Sequence, residues 1–142
     1  MAMFVESADK TAQFARDAFT AALDLWKGID ALNRDIAAEL RQPLRIGIGL
    51  HVGPAVVGTI ATAGLSSLQF LGDTGNLAAK FQAETRRLDC TLIASAQAVT
   101  MVAPNRGEHG VIPLTLAGER VLQVVTLREP DELRRLLAQT AT

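Results

Sequence analysis

Few side chains in this sequence can do chemistry, and those that can are concentrated between residues 69 and 80, where Gln69, Asp73, Asn76 and Lys80 stand close together. Asn76 and Lys80 are four apart, so on a helix they share one face. A carboxamide and an ammonium at the opening of a helix, where free N–H groups and the helix dipole favour negative charge, could hold a polar anion such as a phosphate ester. The competing reading of Asn76 is an ordinary helix cap, and that of Lys80 a solvated surface lysine. Gln69 offers both a donor and an acceptor and could address the edge of a base; otherwise it is a polar residue at a strand edge. Asp73, beside Gly72, reads as a cap for helix N–H groups rather than as an acid or a metal ligand.

The remaining candidates carry less. His51 has no second histidine or carboxylate at ligand spacing and reads as structural. His109 lies in a polar loop without a signal, and Arg120 reads as a solvated strand residue. The single cysteine, Cys90, has no internal disulfide partner and reads as a small apolar residue near the start of a strand. Gly47, Gly49 and Gly53 are spaced GxGxxxG and precede a strand rather than a helix, unlike a dinucleotide-binding fingerprint. The first two permit close backbone packing and the third a turn.

The elements that must position these residues follow from periodicity. Apolar residues recur in steps of three and four at Ala15, Phe19, Ala22, Trp26, Ile29 and Leu32, which predicts an amphipathic helix over about 8 to 33, capped by Ser7 with Asp9 in its first turn. Gly28 and Asn33 weaken it before Pro43. Segments 44–50 and 55–60 flank Gly53-Pro54 and predict a β-hairpin. A small-residue loop over 61–67 leads to the apolar run 68–71, then a glycine turn and the helical pattern of Leu77, Ala78 and Phe81. Beyond it the pattern predicts a strand at 90–93, a Ser-capped helix at 95–102, strands near 111–116 and 121–127, and a last helical turn or two within 130–137. With no internal repeat or linker, the order indicates one layered sheet with helices packed on it.

Composition limits the function classes. A chain of 142 residues, 49% hydrophobic, is the size of one domain and can bury a core without disulfides. A net charge of -1 and 4% aromatic residues give neither the basic field nor the stacking platforms that nucleic acid requires. A ferredoxin-like RNA-binding module is disfavoured on the same grounds. No apolar stretch is long enough to span a bilayer, and the charges near the N-terminus do not fit a signal peptide, so a soluble, cytoplasmic protein is expected.

Two segments carry a family likeness: Leu44-Arg45-Ile46-Gly47-Ile48-Gly49-Leu50-His51-Val52-Gly53-Pro54-Ala55-Val56-Val57-Gly58, and Phe70-Leu71-Gly72-Asp73-Thr74-Gly75-Asn76-Leu77-Ala78-Ala79-Lys80. The first resembles the RIGIxxHxGxxxxG segment, and the second the GDxxNxAxR helix start, of class III adenylate and guanylate cyclases. Leu116-Ala117-Gly118-Glu119-Arg120 before a closing strand agrees with them. The resemblance runs over about residues 4–128 and leaves 129–142 as a tail. It implies an α/β (α+β), ferredoxin-like cyclase fold with a mostly antiparallel sheet, and a lyase that makes a 3',5'-cyclic nucleotide and pyrophosphate in signal transduction. It further implies an ATP or GTP substrate and a homodimer, or a pairing with a second cyclase-type protomer, that shares its sites. By resemblance Asn76 orients the ribose, Lys80 stands in the place of an arginine that contacts phosphate, and Gln69 takes the position that reads the base. Lysine keeps the charge of that arginine without its planar fork.

The departure from the family is equally specific. Its two metal-binding aspartates, which hold Mg2+ or Mn2+ in the complete domain, have no counterpart here, and Met1-Ala2-Met3-Phe4 resembles the strand that directly follows the second of them. The expectation is therefore a single truncated catalytic domain over 1–142, lacking an N-terminal strand and helices, binding no metal itself and inactive alone. The edge so exposed invites pairing with another chain. A non-catalytic, cyclase-like dimerisation or regulatory module is the second reading. In either case the helix bearing Asn76 is expected to face a triphosphate pocket that another protomer completes.

Overall fold

The computed structural model describes residues 1–4, 10–107, 110–118 and 120–139. Helix α1 (Thr11–Asp35) buries Phe19, Ala22, Leu23 and Trp26, the stripe that its periodicity defines. The expected cap Ser7 and the first-turn Asp9 lie outside the described residues, as does His109. Asn33, read as a weak helix residue, has a definite task. Its side chain donates to the Leu44 carbonyl (2.9 Å) and accepts from the Leu44 N–H (2.7 Å), which ties the connecting segment back onto the helix.

Strands β1 (Ile48–Leu50), β4 (Leu92–Ser95), β5 (Val111–Leu116) and β6 (Arg120–Leu127) form one sheet in the order β1-β4-β6-β5. β1 runs parallel to β4, whereas β4–β6 and β5–β6 are antiparallel. Side chains alternate across it as pleating requires. Leu92, Ala94, Val125 and Leu127 join α1, α3 (Ala96–Val102) and α4 (Pro130–Ala138) on one face. Ile93 and Val124 join Leu77 and Phe81 of α2 (Asp73–Glu84) on the other, together with Leu114 and Leu116. Both faces are covered, so β4 is buried throughout. Ser95 caps α3 by accepting from the Ala98 N–H, as its position suggests. A capping box between Glu129 and Glu132, with Pro130 in the first turn, starts α4.

The strand pairing departs from the expected one. Segments 44–50 and 55–60 do not form a hairpin: β1 pairs with β4 instead, and β2 (Val56–Thr62) pairs antiparallel with β3 (Leu65–Leu71). The chain reverses at Ala63 and Gly64, whose φ angles of 50° and 82° are both left-handed, as a two-residue turn matching strand twist needs. The small residues of 61–67 carry too little β-branched character to signal a strand, so a loop is expected there. They are mostly strand, since the turn needs only two residues. β2 and β3 make a separate two-stranded ribbon, exposed along nearly its whole length.

Candidate functional site

The site is built where α2 crosses β1, and two glycines set the distance. A Cβ on Gly49 would lie 2.0 Å from the Ala78 carbonyl oxygen and 2.6 Å from the Gln82 nitrogen, both backbone atoms of α2. A Cβ on Gly47 would meet the Thr85 hydroxyl at 2.2 Å. Only glycine at these positions lets the helix lie directly on the strand. Gly53, expected to make a turn, is in a tight approach of the same kind, since a Cβ there would lie 2.7 Å from the Thr74 hydroxyl. That hydroxyl donates to the Pro54 carbonyl (2.7 Å), a contact no sequence signal marked.

α2 begins at Asp73 after Gly72, whose φ of 133° admits only glycine comfortably. Asp73 does not cap the helix, contrary to the expectation, because its carboxylate forms an ion pair with Arg120 at the start of β6. Arg120 is accordingly not a free strand residue. It ties the sheet to the opening of α2 and leaves a guanidinium beside the helix N-terminus. Both partners are half-exposed, so the pair contributes at most about 1 kcal/mol. Its value is positional.

Asn76 lies at the end of the first turn and Lys80 one turn later, both exposed on α2. Lys80 has no hydrogen-bond or ion-pair partner among the described residues. Gln69 is exposed on β3, opposite Gly58, with its side-chain nitrogen donating to the Ser67 hydroxyl at 3.1 Å. The three residues thus stand on the solvent side of α2 and on the ribbon that leads into it. They do not enclose a pocket within one chain.

His51 packs edge-on against Phe81, with ring centroids 5.7 Å apart at 84°. Its Nδ1 is buried without a partner among the described residues. Burial chiefly, and the neighbouring Arg120 charge next, lower its pKa, while Asp73 acts in the opposite sense. The ring is therefore a neutral packing element under α2, in keeping with a structural role. Cys90 is buried near the start of β4, and burial raises its pKa; Arg128 opposes this and Asp89 adds to it.

Beside the free edge of β1 lies an open groove of about 1160 Å³ between α1 and α2. Its walls include Phe14, Ala18 and Leu25 from α1, Ala78 and Ala79 from α2 and the N-terminal residues Met1–Phe4, with Gly49 on its floor. No Asp, Glu, Lys or Arg side chain lines it, and neither Gln69, Asn76 nor Lys80 reaches it. Among the described residues no three His, Cys, Asp or Glu side chains gather as a metal site, and Asp73 is engaged by Arg120.

This arrangement defines the class of fold. A sheet with helices on both faces, a glycine-mediated helix crossing and a projecting ribbon make up an α/β fold shared with solved adenylyl cyclases. The chain is similar in structure to two solved bacterial light-regulated adenylyl cyclases. The first superposes with a TM-score of 0.63 at 24% identity over 92% of this chain and 40% of that one. The second also gives a TM-score of 0.63, at 23% identity, over 91% of this chain and 67% of that one. The chain therefore spans about two-fifths of the first structure's length, and the likeness shows the fold. No family model matches the sequence, and no curated protein matches it. No helix among the described residues is long and apolar enough to cross a membrane.

Proposed function

We propose that this chain supplies the nucleotide-orienting half of a composite cyclase site, in which a second protomer contributes the carboxylates that hold Mg2+ or Mn2+. The observation that carries the proposal is the exposed face of α2. Asn76 and unpaired Lys80 stand one turn apart there, next to the ribbon bearing Gln69, in a fold shared with adenylyl cyclases. An exposed half-site is what a pocket shared between two protomers looks like from one side.

Cyclisation is an in-line attack of the ribose 3' oxygen on the α-phosphate, so the site must fix the ribose and oppose charge growing on phosphoryl oxygens. The Asn76 carboxamide orients the ribose, and Lys80 attracts the phosphates. The α2 N-terminus and Arg120 add positive potential, although Asp73 offsets much of the latter. Gln69 reads the base edge and can serve ATP or GTP, giving cyclic AMP or cyclic GMP with pyrophosphate. Alone, the chain is expected to form no measurable product.

The test is a titration of fluorescent ATP and GTP analogues into the chain mixed with a cyclase protomer that has its metal carboxylates but alanine at its own asparagine and arginine positions. Saturable binding that weakens at least about tenfold in Lys80→Ala, a change of about 1.4 kcal/mol, supports the proposal. Equal affinity in both mixtures removes Lys80 from the site. The second reading, a non-catalytic cyclase-like dimerisation or regulatory module, is favoured by lysine and glutamine where the resemblance leads one to expect arginine and an aspartate or threonine. It requires protomer association without any nucleotide binding that depends on Lys80.

A further inference from the structure

His51, Asp73 and Arg120 belong to three separate elements and meet at one place. His51 follows β1, Asp73 opens α2 and Arg120 opens β6. Geometry as well as charge brings them together. The point where a Cβ on Gly53 would stand is 3.5 Å from the His51 Nε2 and 2.7 Å from the hydroxyl of Thr74, the residue after Asp73. The imidazole and the first turn of α2 are therefore near neighbours, and Phe81 packs on the ring from further along the same helix. The groove that His51 also lines brings it no Asp, Glu, Lys or Arg side chain among the described residues, so Asp73 and Arg120 are the charged groups that face the ring.

While the ring is neutral, the charges of this cluster are settled in one way. Asp73 is bound to Arg120, and the buried His51 Nδ1 has no hydrogen-bond partner among the described residues. A proton on the ring changes the balance. An imidazolium carries two N–H donors, and a half-buried cation beside a guanidinium needs a carboxylate far more than an exposed guanidinium does. Arg120 is half-exposed and can return to water, since an ion pair of that kind is weak. Asp73 is free to turn, because its side chain does not cap its own helix. The carboxylate thus has two basic neighbours, one always charged and one charged only in acid.

We infer that Asp73 is a two-position carboxylate: it binds Arg120 while His51 is neutral, and it transfers to His51 when that ring takes up a proton from solvent. The exchange adds one positive charge to the cluster and leaves the Arg120 guanidinium uncompensated at the start of α2. Acidification then raises the positive potential at a point where helix N–H groups already favour an anion. Burial and Arg120 lower the pKa of His51, and Asp73 acts against them, so the exchange falls on the acid side of ordinary histidine titration. Any effect on a nucleotide rests on the reading of α2 as a half-site; the exchange itself does not, and it is tested with no nucleotide present.

The test is an NMR pH titration of the chain alone that follows the His51 ring carbons and the Arg120 Nε–Hε group in wild type, Asp73→Asn and Arg120→Gln. Both substitutions fall at half-exposed side chains, and circular dichroism at each pH confirms the fold. In wild type the two signals are expected to move with one common midpoint. In Asp73→Asn the His51 midpoint is expected to fall by at least about half a pH unit, with the Arg120 signal no longer following it, and in Arg120→Gln the midpoint is expected to rise. An Arg120 signal that ignores the His51 titration overturns the inference, as does a His51 midpoint indifferent to Asp73→Asn. A ring that stays neutral until the chain unfolds overturns it equally.

Discussion

At the scale of single residues, the chemistry depends on how each polar group is partnered. His51 is held neutral by burial and by the Arg120 charge, so its folded-state pKa lies below the unfolded value. Between the two values the unfolded chain binds more protons than the folded one, and stability is lost as pH falls through that window. The thermal midpoint is expected to drop from pH 7 to pH 5, and to drop less in His51→Gln; equal slopes would show that the histidine does not report this burial. Cys90, buried and with a raised pKa, is expected to react with a thiol reagent far more slowly in the native than in the denatured protein, as absorbance stopped-flow measures. The sequence made His51 and Cys90 legible as structural residues because isolated histidines and cysteines without ligand spacing rarely do more. It did not reveal that Asp73 pairs with Arg120, residues 47 positions apart whose meeting is decided only when β6 packs beside α2.

At the scale of elements, the contact of α2 with β1 is the joint on which the site depends. Gly49→Ala would drive a methyl group into the helix backbone at Ala78, and backbone cannot give way as a flexible side chain can. A loss of about 1–3 kcal/mol, or more, is expected in urea unfolding. Unchanged stability would mean that α2 is free to lift off the strand. Phe81, fully buried under the sheet, is expected to cost about 3–5 kcal/mol when changed to Ala. Helices were the most legible elements: α1 follows from apolar spacing and α3 from a serine cap, while only a turn or two of α4 is legible in the sequence. Strand partners were not legible, because the hairpin reading relied on Gly53-Pro54 as a reversal. A covered strand such as β1 is satisfied equally well by a distant parallel neighbour, and β4, 44 residues on by register, is the one it finds.

At the scale of the whole molecule, the layered sheet and projecting ribbon place the family-like motifs on a fold shared with adenylyl cyclases. Motif order was enough to read this from the sequence, since Gly47, Gly49 and Gly72 are the points at which that fold brings backbone close to backbone or turns it left-handed. Whether Gln69, Asn76 and Lys80 meet a nucleotide was not legible, because a surface carboxamide or lysine has the same local signature whether it serves solvent or a partner's pocket. The most direct measurement is product formation from ATP and GTP with manganese, by this chain mixed with a cyclase protomer that keeps its metal carboxylates but carries alanine at its own asparagine and arginine positions. The account expects cyclic nucleotide from the mixture, none from either component, and at least about a tenfold lower rate with Lys80→Ala. A mixture that associates but makes no cyclic nucleotide, or one whose rate is indifferent to Lys80, would contradict it.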